Sequence, residues 1–388
     1  MPSSSSSSGS PDMHSFLASY GIPLAAGLTA VLGGLSYQLY RWYLVRSQKN
    51  ERSRDLLARA RSAPGELPLV RPIYMGGEEQ FRSVVRASNL TKELKAVLCR
   101  DGVYIGNPEK VVQKLEKMLA DGADRFQVVT DFDATLTRYH RDGVRCSSSY
   151  GILDSNSMFP SWFREETDRL RKKYYPIELD PALTVEEKTP LMKDWWTKAH
   201  DALKQTNLNQ SWLPKMVQES SVEMRDRTGV LFAILDHCNI PLLIYSAGIG
   251  DLIKEVLIQR CSFKNFTEPP LIVANYMKFS DKGALIGFSE ELIHTFNKHE
   301  IFPHHLDYFA KHKNRTNVLL MGDMTGDLRM ADGMSHRETL VTIGFLNSKV
   351  HESFALYRDS FDIVLIDDQT QDVPIAIVEA IIKGASSD

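Results

Sequence analysis

The stretch of sequence that decides the fold runs from residue 126 to residue 135 and reads FQVVTDFDAT. Its first half, Phe126–Thr130, is typical of a buried strand in a parallel sheet, and two carboxylates, Asp131 and Asp133, follow it. In open α/β sheets, ligands bind in the crevice beyond the carboxyl ends of the strands. A carboxylate in that position suits attack on phosphorus and formation of an aspartyl-phosphate. Short acidic pairs also occur in solvated turns and metal-binding loops, so this pattern needs support from elsewhere in the chain.

Two later strand candidates also end in polar residues that could bind a phosphate or a metal ion. Pro241–Tyr245 is followed by SAGIG, in which the hydroxyl of Ser246 and the N–H groups of the next helix could bind a phosphate. Val318–Met321 is followed by GDMTGD, in which Asp323 and Asp327 offer the oxygen ligands that Mg²⁺ prefers. Each loop could instead be an ordinary turn that leads into a helix N-cap. Three such strand ends in one chain favour a single site that binds phosphate and magnesium.

The composition limits the class of protein. The chain has 388 residues, 43% of them hydrophobic and 24% charged, which suits two domains or one domain with a large insertion. Its formal net charge of -3 gives no electrostatic reason to expect binding to a polymeric nucleic acid. The four cysteines form neither a C-x-x-C pair nor a zinc-binding spacing with histidine, which is typical of a reduced cytosolic protein.

The amino-terminal part differs from the rest of the chain. Residues 1–14 are rich in serine, and we expect them to be disordered. Residues 15–45 contain an uncharged run long enough to cross a hydrocarbon core of about 30 Å as a helix, and aromatic and basic residues follow it. This pattern predicts a transmembrane anchor and a cytoplasmic remainder, tethered to an intracellular membrane such as the endoplasmic reticulum.

Two other interpretations of the uncharged run remain. A cleaved secretory signal would begin with basic residues, which this run lacks. A buried soluble helix would not be expected to contain Pro23 and several glycines. Complete release of the protein from membranes by carbonate extraction would contradict the anchor.

The remaining sequence predicts an α/β fold. Residues 46–105 are interpreted as a basic juxtamembrane segment and a linker, and the apolar spacing in Pro108–Ala120 predicts a helix. We expect a doubly wound, mostly parallel sheet formed by residues 106–137 and 238–388. Three later strand candidates extend it: Leu271–Ala274, Leu340–Ile343 and Ile363–Ile366.

Four groups in chain order resemble the motifs of the haloacid dehalogenase superfamily: DFDAT at 131–135, Ser246, Lys298 and GDMTGD at 322–327. More narrowly, the chain from about residue 108 resembles the cytosolic pyrimidine 5′-nucleotidase family, type III. This closer likeness lies in IELDP (177–181), LTVEEK (183–188), WTKAH (196–200), SAGIGD (246–251) and LRMADG (328–333).

The adjacent tryptophans 195 and 196 look like the branch of this family that also acts on 7-methylguanosine monophosphate. Ala134 and the pair Met324-Thr325 depart from the usual pattern without removing a chemical group.

The resemblance implies a magnesium-dependent 5′-nucleotidase that hydrolyses a small-molecule nucleoside 5′-monophosphate, a pyrimidine nucleotide such as CMP or UMP, or 7-methyl-GMP. It implies that Asp131 is the nucleophile and that Asp133 protonates the leaving oxygen and then activates water. It also implies that Mg²⁺ is held by Asp131, the backbone carbonyl of Asp133 and Asp323, with Asp327 close behind them. Single lysines are usually solvated, but Lys298 would here bind phosphate together with Ser246 and the backbone of Ala247.

Residues 138–237 separate the first two of these groups by more than a βα connection requires. Their apolar spacing predicts three helices, Trp162–Tyr174, Thr184–Gln205 and Leu213–Leu235. The resemblance implies that they form a helical cap, which closes over the substrate.

Two residues of this insertion are candidates for recognition of the base. The carboxylate of Glu178 could accept hydrogen bonds from cytosine or guanine, and the indole of Trp196 could stack on a base, most strongly on cationic 7-methylguanine. Trp196 could instead anchor a helix in the cap, and Glu178 could simply be solvated.

Other functions remain open at this stage. The same groups would serve a nucleoside phosphotransferase, or another phosphatase or phosphomutase acting on a different small phosphate ester. A membrane-tethered, non-catalytic binding module is disfavoured because every catalytic group is present. We expect the catalytic domain to be monomeric.

Overall fold

The computed structural model describes residues 78–180, 182–261, 267, 269–289, 291–298, 306–334 and 336–384. The predicted disordered segment 1–14 and the predicted anchor 15–45 lie outside the described residues, as does most of the predicted linker. Within the described ranges, no helix is both long enough and apolar enough to cross a membrane.

The described residues form a seven-stranded, mostly parallel sheet and two short hairpins. The strands, in chain order, are β1 Val103–Ile105, β2 Phe126–Thr130, β3 His140–Arg141, β4 Val144–Arg145, β5 Leu242–Ile249, β6 Leu271–Asn275, β7 Met277–Phe279, β8 Leu285–Phe288, β9 Asn317–Gly322, β10 Thr339–Leu346 and β11 Ile363–Ile366. The large sheet has the order β1-β11-β10-β9-β2-β5-β6, and only its edge strand β1 runs antiparallel to its neighbour. The α/β class and the three later strands are confirmed.

The helices connect these strands and form most of the insertion between β2 and β5. They are α1 Glu78–Ala87, α2 Lys92–Leu98, α3 Pro108–Asp121, α4 Ser149–Asp154, α5 Ser161–Glu178, α6 Val185–Lys204, α7 Leu213–Glu219, α8 Thr228–His237, α9 Gly250–Cys261, α10 Leu306–Lys311, α11 Val350–Ser360 and α12 Asp372–Gly384. Helix α3 begins where the sequence predicts, because Asn107 caps it and Pro108 occupies its first turn.

Strand β2 lies in the interior of the sheet, between β9 and β5, and all of its residues are buried. A parallel strand that is covered on both faces reads as a continuous apolar run, which is why the sequence identifies it. Thr130 at its end lies opposite Met321 on β9 and Ile244 on β5. After β2 the chain continues to β5 on one side of it, and the later strand β9 lies on the other side. The direction in which strands are added to the sheet therefore reverses at β2. Such a reversal opens a crevice at the carboxyl ends of the strands.

The sheet begins earlier in the chain than the sequence predicts. Residues 78–105, interpreted as part of a linker, contain α1, α2 and the edge strand β1, which pairs with β11. Thr91 caps α2, and the helix buries Leu94 and Leu98. These elements are short and their apolar residues alternate with charged ones, so they lack the long periodic pattern that marks a core helix.

Two long helices of the insertion pack against each other. Helices α5 and α6 share a buried cluster that includes Leu170, Tyr174, Met192 and Trp196. The start of α6 agrees with the sequence prediction because Thr184 and Glu187 form a capping box.

The predicted helix Leu213–Leu235 is two helices, α7 and α8. The chain between them runs alongside the segment that follows β2. There the N–H of Arg138 donates to the carbonyl of Glu223 at 2.8 Å, and the N–H of Arg225 donates to the carbonyl of Leu136 at 2.9 Å. These backbone pairs outweigh the helical pattern of the apolar residues.

Candidate active site

Three predicted site residues meet at the carboxyl ends of neighbouring strands. Asp131 follows β2, Asp323 follows β9, and Asp327 lies one turn beyond Asp323. One ligand oxygen from each of these carboxylates lies within 4.8 Å of the other two. The backbone N–H of Asp131 donates to the carbonyl of Met321 at 2.9 Å, which ties the two strand ends together.

Asp327 organises the loop after β9. Its Oδ2 accepts hydrogen bonds from the backbone N–H groups of Asp323 at 3.1 Å and Met324 at 3.0 Å. Its Oδ1 accepts a hydrogen bond from Lys298 at 2.7 Å. Gly322 makes this close return possible, since a Cβ there would lie 2.4 Å from the Cβ of Asp327. Because both oxygens are engaged, Asp327 is better placed to orient its neighbours than to bind a metal directly.

Lys298 is a buried cation in the centre of the site. Its Nζ lies 2.6 Å from Oδ1 of Asp131 and 2.7 Å from Oδ1 of Asp327, and it donates to the carbonyl of Tyr245 at 3.1 Å. Burial disfavours its charge, but the two carboxylates outweigh burial and keep the pKa of Lys298 above its ordinary value. Lys298 is therefore not a solvated surface lysine.

The carboxylates of the site are crowded and buried. Burial, with a smaller contribution from Asp327, raises the pKa of Asp131 to about 7 against the opposing charge of Lys298. Burial and the charges of Asp131 and Asp327 raise the pKa of Asp323 well above its ordinary value. A hard divalent cation bound by oxygen ligands would relieve this repulsion. Asp131 and Asp323 therefore fit a magnesium ion.

Asp133 is held by Ser149, a residue that the sequence does not mark as part of the site. The backbone N–H of Ser149 donates to Oδ1 of Asp133 at 2.7 Å, and the Ser149 hydroxyl donates to Oδ2 at 2.5 Å. Gly248 leaves the space for this contact, because a Cβ there would lie 2.0 Å from the Ser149 oxygen. Burial raises the pKa of Asp133 despite these hydrogen bonds, which suits a proton donor. Ser149 lies in a run of three serines that carries no spacing signal.

Ser246 lies in the last half of β5, beside the end of β2. Its Oγ is buried and accepts a hydrogen bond from the N–H of Gly248 at 3.0 Å. Among the described residues the Ser246 hydroxyl donates to no acceptor, so its proton can be directed to a ligand. The carbonyl of the next residue, Ala247, accepts a hydrogen bond from Asn275 at 2.8 Å, which fixes this loop.

Trp196 joins the insertion to the loop of Ser246. Its indole N–H donates to the carbonyl of Ala247 at 3.0 Å. The indole is only 9% exposed and packs edge-on against Tyr150 and Trp195. This geometry favours the anchoring interpretation of Trp196 over stacking on a base.

Glu178 is buried at the end of α5 and is not solvated. Its Oε1 accepts a hydrogen bond from the Thr295 hydroxyl at 2.5 Å, and its backbone carbonyl accepts one from Lys188 at 3.0 Å. Burial raises the pKa of Glu178, and the nearby charge of Asp327 contributes to the shift. Its Oε2 accepts no hydrogen bond from any described residue. Glu178 therefore offers one carboxylate oxygen to a ligand on the cap side of the site.

A buried arginine holds the loop that carries Asp133. Arg225 is 1% exposed, and its Nε donates to the carbonyl of Thr135 at 2.8 Å. Its guanidinium also donates to the carbonyl of Ala134 and to the side chain of Asn347. Ala134 has a φ of 59°, a left-handed conformation that is unfavourable for alanine and needs such support. No sequence pattern marks Arg225 for this role, since arginines are rarely buried.

Replacing Arg225 with methionine should lower the free energy of unfolding by about 3 kcal/mol, because the carbonyls of Ala134, Thr135 and Asp368 would each lose a charged hydrogen bond. Urea denaturation measures this change. The exposed Arg141, changed to methionine in the same way, should alter stability by less than about 0.5 kcal/mol. Equal stability of the two variants would contradict the role given to Arg225.

Comparisons with known proteins show the family. The sequence profile of the pyrimidine 5′-nucleotidase (UMPH-1) family matches residues 134–382. The 7-methylguanosine phosphate-specific 5′-nucleotidase of Homo sapiens is 42% identical over 287 residues, which cover 74% of this chain and 95% of that protein. The 7-methylguanosine phosphate-specific 5′-nucleotidase A of Xenopus laevis is 41% identical over 283 residues, which cover 73% and 97%.

A solved structure agrees with these sequence comparisons. The crystal structure of cytosolic 5′-nucleotidase IIIB bound to cytidine superimposes with a TM-score of 0.69 and 36% identity, over 76% of this chain and 98% of that one. The family expectation drawn from the sequence is therefore confirmed. The chain belongs to the pyrimidine 5′-nucleotidase family and is a 5′-nucleotidase.

Proposed function

We propose that this enzyme hydrolyses nucleoside 5′-monophosphates, with Mg²⁺ as cofactor, through an aspartyl-phosphate on Asp131. The observation that carries this proposal is the buried meeting of Asp131, Asp323 and Lys298 at the ends of adjacent strands. The names of the relatives, and the cytidine in the related structure, support CMP, UMP or 7-methyl-GMP as substrates.

The nucleophile is prepared by its surroundings. Lys298 occupies Oδ1 of Asp131 and leaves Oδ2 with no hydrogen-bond partner among the described residues. Oδ2 is the atom that attacks phosphorus, which gives the aspartyl-phosphate and expels the ribose 5′-oxygen. Asp133 donates its proton to that oxygen and later takes a proton from the water that hydrolyses the intermediate. Ser149 keeps Asp133 in place for both steps.

The negative charge of the phosphoryl group is neutralised by several groups. Mg²⁺ held by Asp131, Asp323 and the backbone carbonyl of Asp133 would supply positive charge to the phosphoryl oxygens. The hydroxyl of Ser246 and the backbone N–H of Ala247 bind further phosphoryl oxygens. Lys298 uses its three N–H groups on Asp131, Asp327 and Tyr245, and it would exchange one of these contacts for a phosphoryl oxygen when the substrate binds.

Recognition of the base falls to Glu178 rather than Trp196. Oε2 of Glu178 is available to accept a hydrogen bond from the amino group of a base, whereas the indole of Trp196 is packed and its N–H is already used. The insertion 138–237 serves as the lid that brings Glu178 to the base.

The proposal also covers the cellular location and the oligomeric state of the enzyme. The catalytic domain is cytoplasmic and monomeric, and residues 15–45 tether it to an intracellular membrane. Membrane extraction of the full chain tests the tether, and gel filtration tests the oligomeric state.

A phosphate-release panel tests the proposed reaction. With Mg²⁺, the purified enzyme should release phosphate from CMP, UMP or 7-methyl-GMP faster than from AMP and GMP, and EDTA should abolish release until Mg²⁺ is restored. Changing Glu178 to glutamine should lower kcat/KM for the preferred nucleotide by about tenfold, since one charged hydrogen bond is weakened. No release from any nucleotide at saturating Mg²⁺, or release insensitive to EDTA, would contradict the proposal. Labelled product formed with an added nucleoside would instead reveal phosphotransfer.

A further inference from the structure

The hairpin that follows the nucleophile carries an arginine with unusual surroundings. Strands β3 and β4 pair in antiparallel register, with His140 opposite Arg145. The guanidinium carbon of Arg145 lies 3.5 Å from the centre of the Tyr139 ring, so the group stacks on an aromatic face. Stacking covers a face of the guanidinium and leaves its N–H groups, which lie in its plane, free to donate.

The other arginines of this segment have acidic partners. Arg141 forms an ion pair with Glu223 at 2.5 Å, and Arg138 pairs with Glu223 and Asp226. Arg145 forms no hydrogen bond and no ion pair with any described residue. An exposed arginine is often merely solvated, but here an arginine that stacks on an aromatic ring has no acidic partner among the described residues.

Arg145 lies near the catalytic carboxylates. It is four positions before Ser149, which holds Asp133 by two hydrogen bonds. Burial raises the pKa of Asp133 and Asp323, and the charge of Arg145 is among those that oppose the rise. The carboxylates themselves are already engaged, since Lys298 binds Asp131 and Asp327 and Ser149 binds Asp133.

A further cation would stabilise the site once the substrate is bound, because the net charge is then negative. The negative charges of Asp131, Asp323 and Asp327 would be neutralised by Lys298 and a magnesium ion together. This balance counts Asp133 as protonated and therefore neutral. A phosphate monoester then adds a charge of about −1.5 to −2 at pH 7. The buried site would carry excess negative charge at the moment when the substrate binds, and a nearby cation would offset it.

We propose that Arg145 binds the phosphoryl group of the nucleotide, with its guanidinium oriented by Tyr139 and its N–H groups donating to phosphoryl oxygens. Planar guanidinium groups match the geometry of phosphate oxygens and often bind them with two hydrogen bonds. The proposal rests on the proposed function, because it concerns the substrate of the same site. It adds a phosphate-binding residue on the β3–β4 hairpin.

Replacement of Arg145 with alanine tests the contact. We expect kcat/KM for the preferred nucleotide to fall roughly 10- to 100-fold, and inhibition by inorganic phosphate to weaken by a similar factor. Inhibition by the product nucleoside, which lacks a phosphate, should stay unchanged. Arg145→Lys should recover part of the loss, since an ammonium group supplies the charge without the paired donors.

Arg141→Ala is the matched control, because Arg141 lies on the same hairpin and is exposed, but has its own partner, Glu223. It should change none of these values more than about twofold. Unchanged kcat/KM and phosphate inhibition in Arg145→Ala would overturn the proposal. So would an equal loss of nucleoside and phosphate inhibition, which would indicate a general disturbance of the site.

The two proposals can fail separately. If the wild-type enzyme hydrolyses nucleotides while Arg145→Ala is unaffected, the proposed function stands and the phosphate contact is wrong. If no nucleotide is hydrolysed, calorimetric titration of inorganic phosphate into wild-type and Arg145→Ala protein with Mg²⁺ still decides the contact. Equal affinities in that titration would reject it, and a roughly 10-fold or greater loss would support it.

Discussion

Changing Asp131 to asparagine is expected to lower kcat on the preferred nucleotide by at least about 10⁴-fold. The neutral amide oxygen is a poor nucleophile, and an aspartyl-phosphate cannot form on it. The substitution also removes the ion pair between Asp131 and Lys298. Steady-state kinetics with saturating Mg²⁺ measure the effect, and circular dichroism shows whether the variant is folded.

The matched control for this variant is Asp142→Asn. Asp142 is exposed at the turn of the β3–β4 hairpin, where its φ is 50° and asparagine is well tolerated. This control should retain full activity. An Asp131→Asn enzyme as active as the control would show that another group attacks phosphorus.

Changing Lys298 to methionine should lower kcat on the order of 10³-fold. Methionine has a similar length, but it leaves Asp131 and Asp327 facing each other without the cation that now lies 2.6 and 2.7 Å from their oxygens. On the proposed function it also removes positive charge that would stabilise the phosphoryl group. Arginine should not restore the rate, since Lys298 is 3% exposed and a larger guanidinium does not fit.

Lys254→Met is the control for the lysine variant. Lys254 is exposed and stacks on the ring of Tyr276, and it contacts none of the catalytic carboxylates. Its loss should change kcat by less than about twofold. If Lys298→Met kept a rate within tenfold of this control, Lys298 would have no part in binding the phosphoryl group.

The centre of the fold was predictable because its strands are covered on both faces. The runs that became β2, β9 and β11 are continuous and apolar, and they can be recognised without any knowledge of their partners. Asp131 and Asp323 follow two of these runs directly. Their meeting in space then depends only on the rule that parallel neighbours end at the same edge of a sheet.

The supporting contacts were not predictable, because they join distant parts of the chain. Arg225 binds the carbonyl of Thr135 across 90 residues, and Thr295 binds Glu178 across 117 residues. The sequence around Arg225 or Thr295 contains no pattern that predicts such a distant partner. The single helix expected over Leu213–Leu235 was wrong for the same reason, since its middle part pairs with the segment after β2.

The structure also distinguishes Glu178 from Trp196, the two candidates for recognition of the base. The sequence leaves both residues as candidates, because a carboxylate and an indole both bind bases. Their hydrogen bonds separate them. The Trp196 N–H is bound to Ala247, whereas one carboxylate oxygen of Glu178 accepts no hydrogen bond from the described residues.

The central claim is that a phosphoryl group is carried transiently by Asp131. Rapid mixing with the preferred nucleotide and Mg²⁺, followed by borohydride reduction and peptide mass spectrometry, tests it, because borohydride converts an acyl phosphate of aspartate to homoserine. We predict homoserine at position 131 and at no other aspartate, and only when both nucleotide and Mg²⁺ are present. Reduction at Asp133 or Asp323 instead, or no homoserine in an enzyme that turns over normally, would contradict the account.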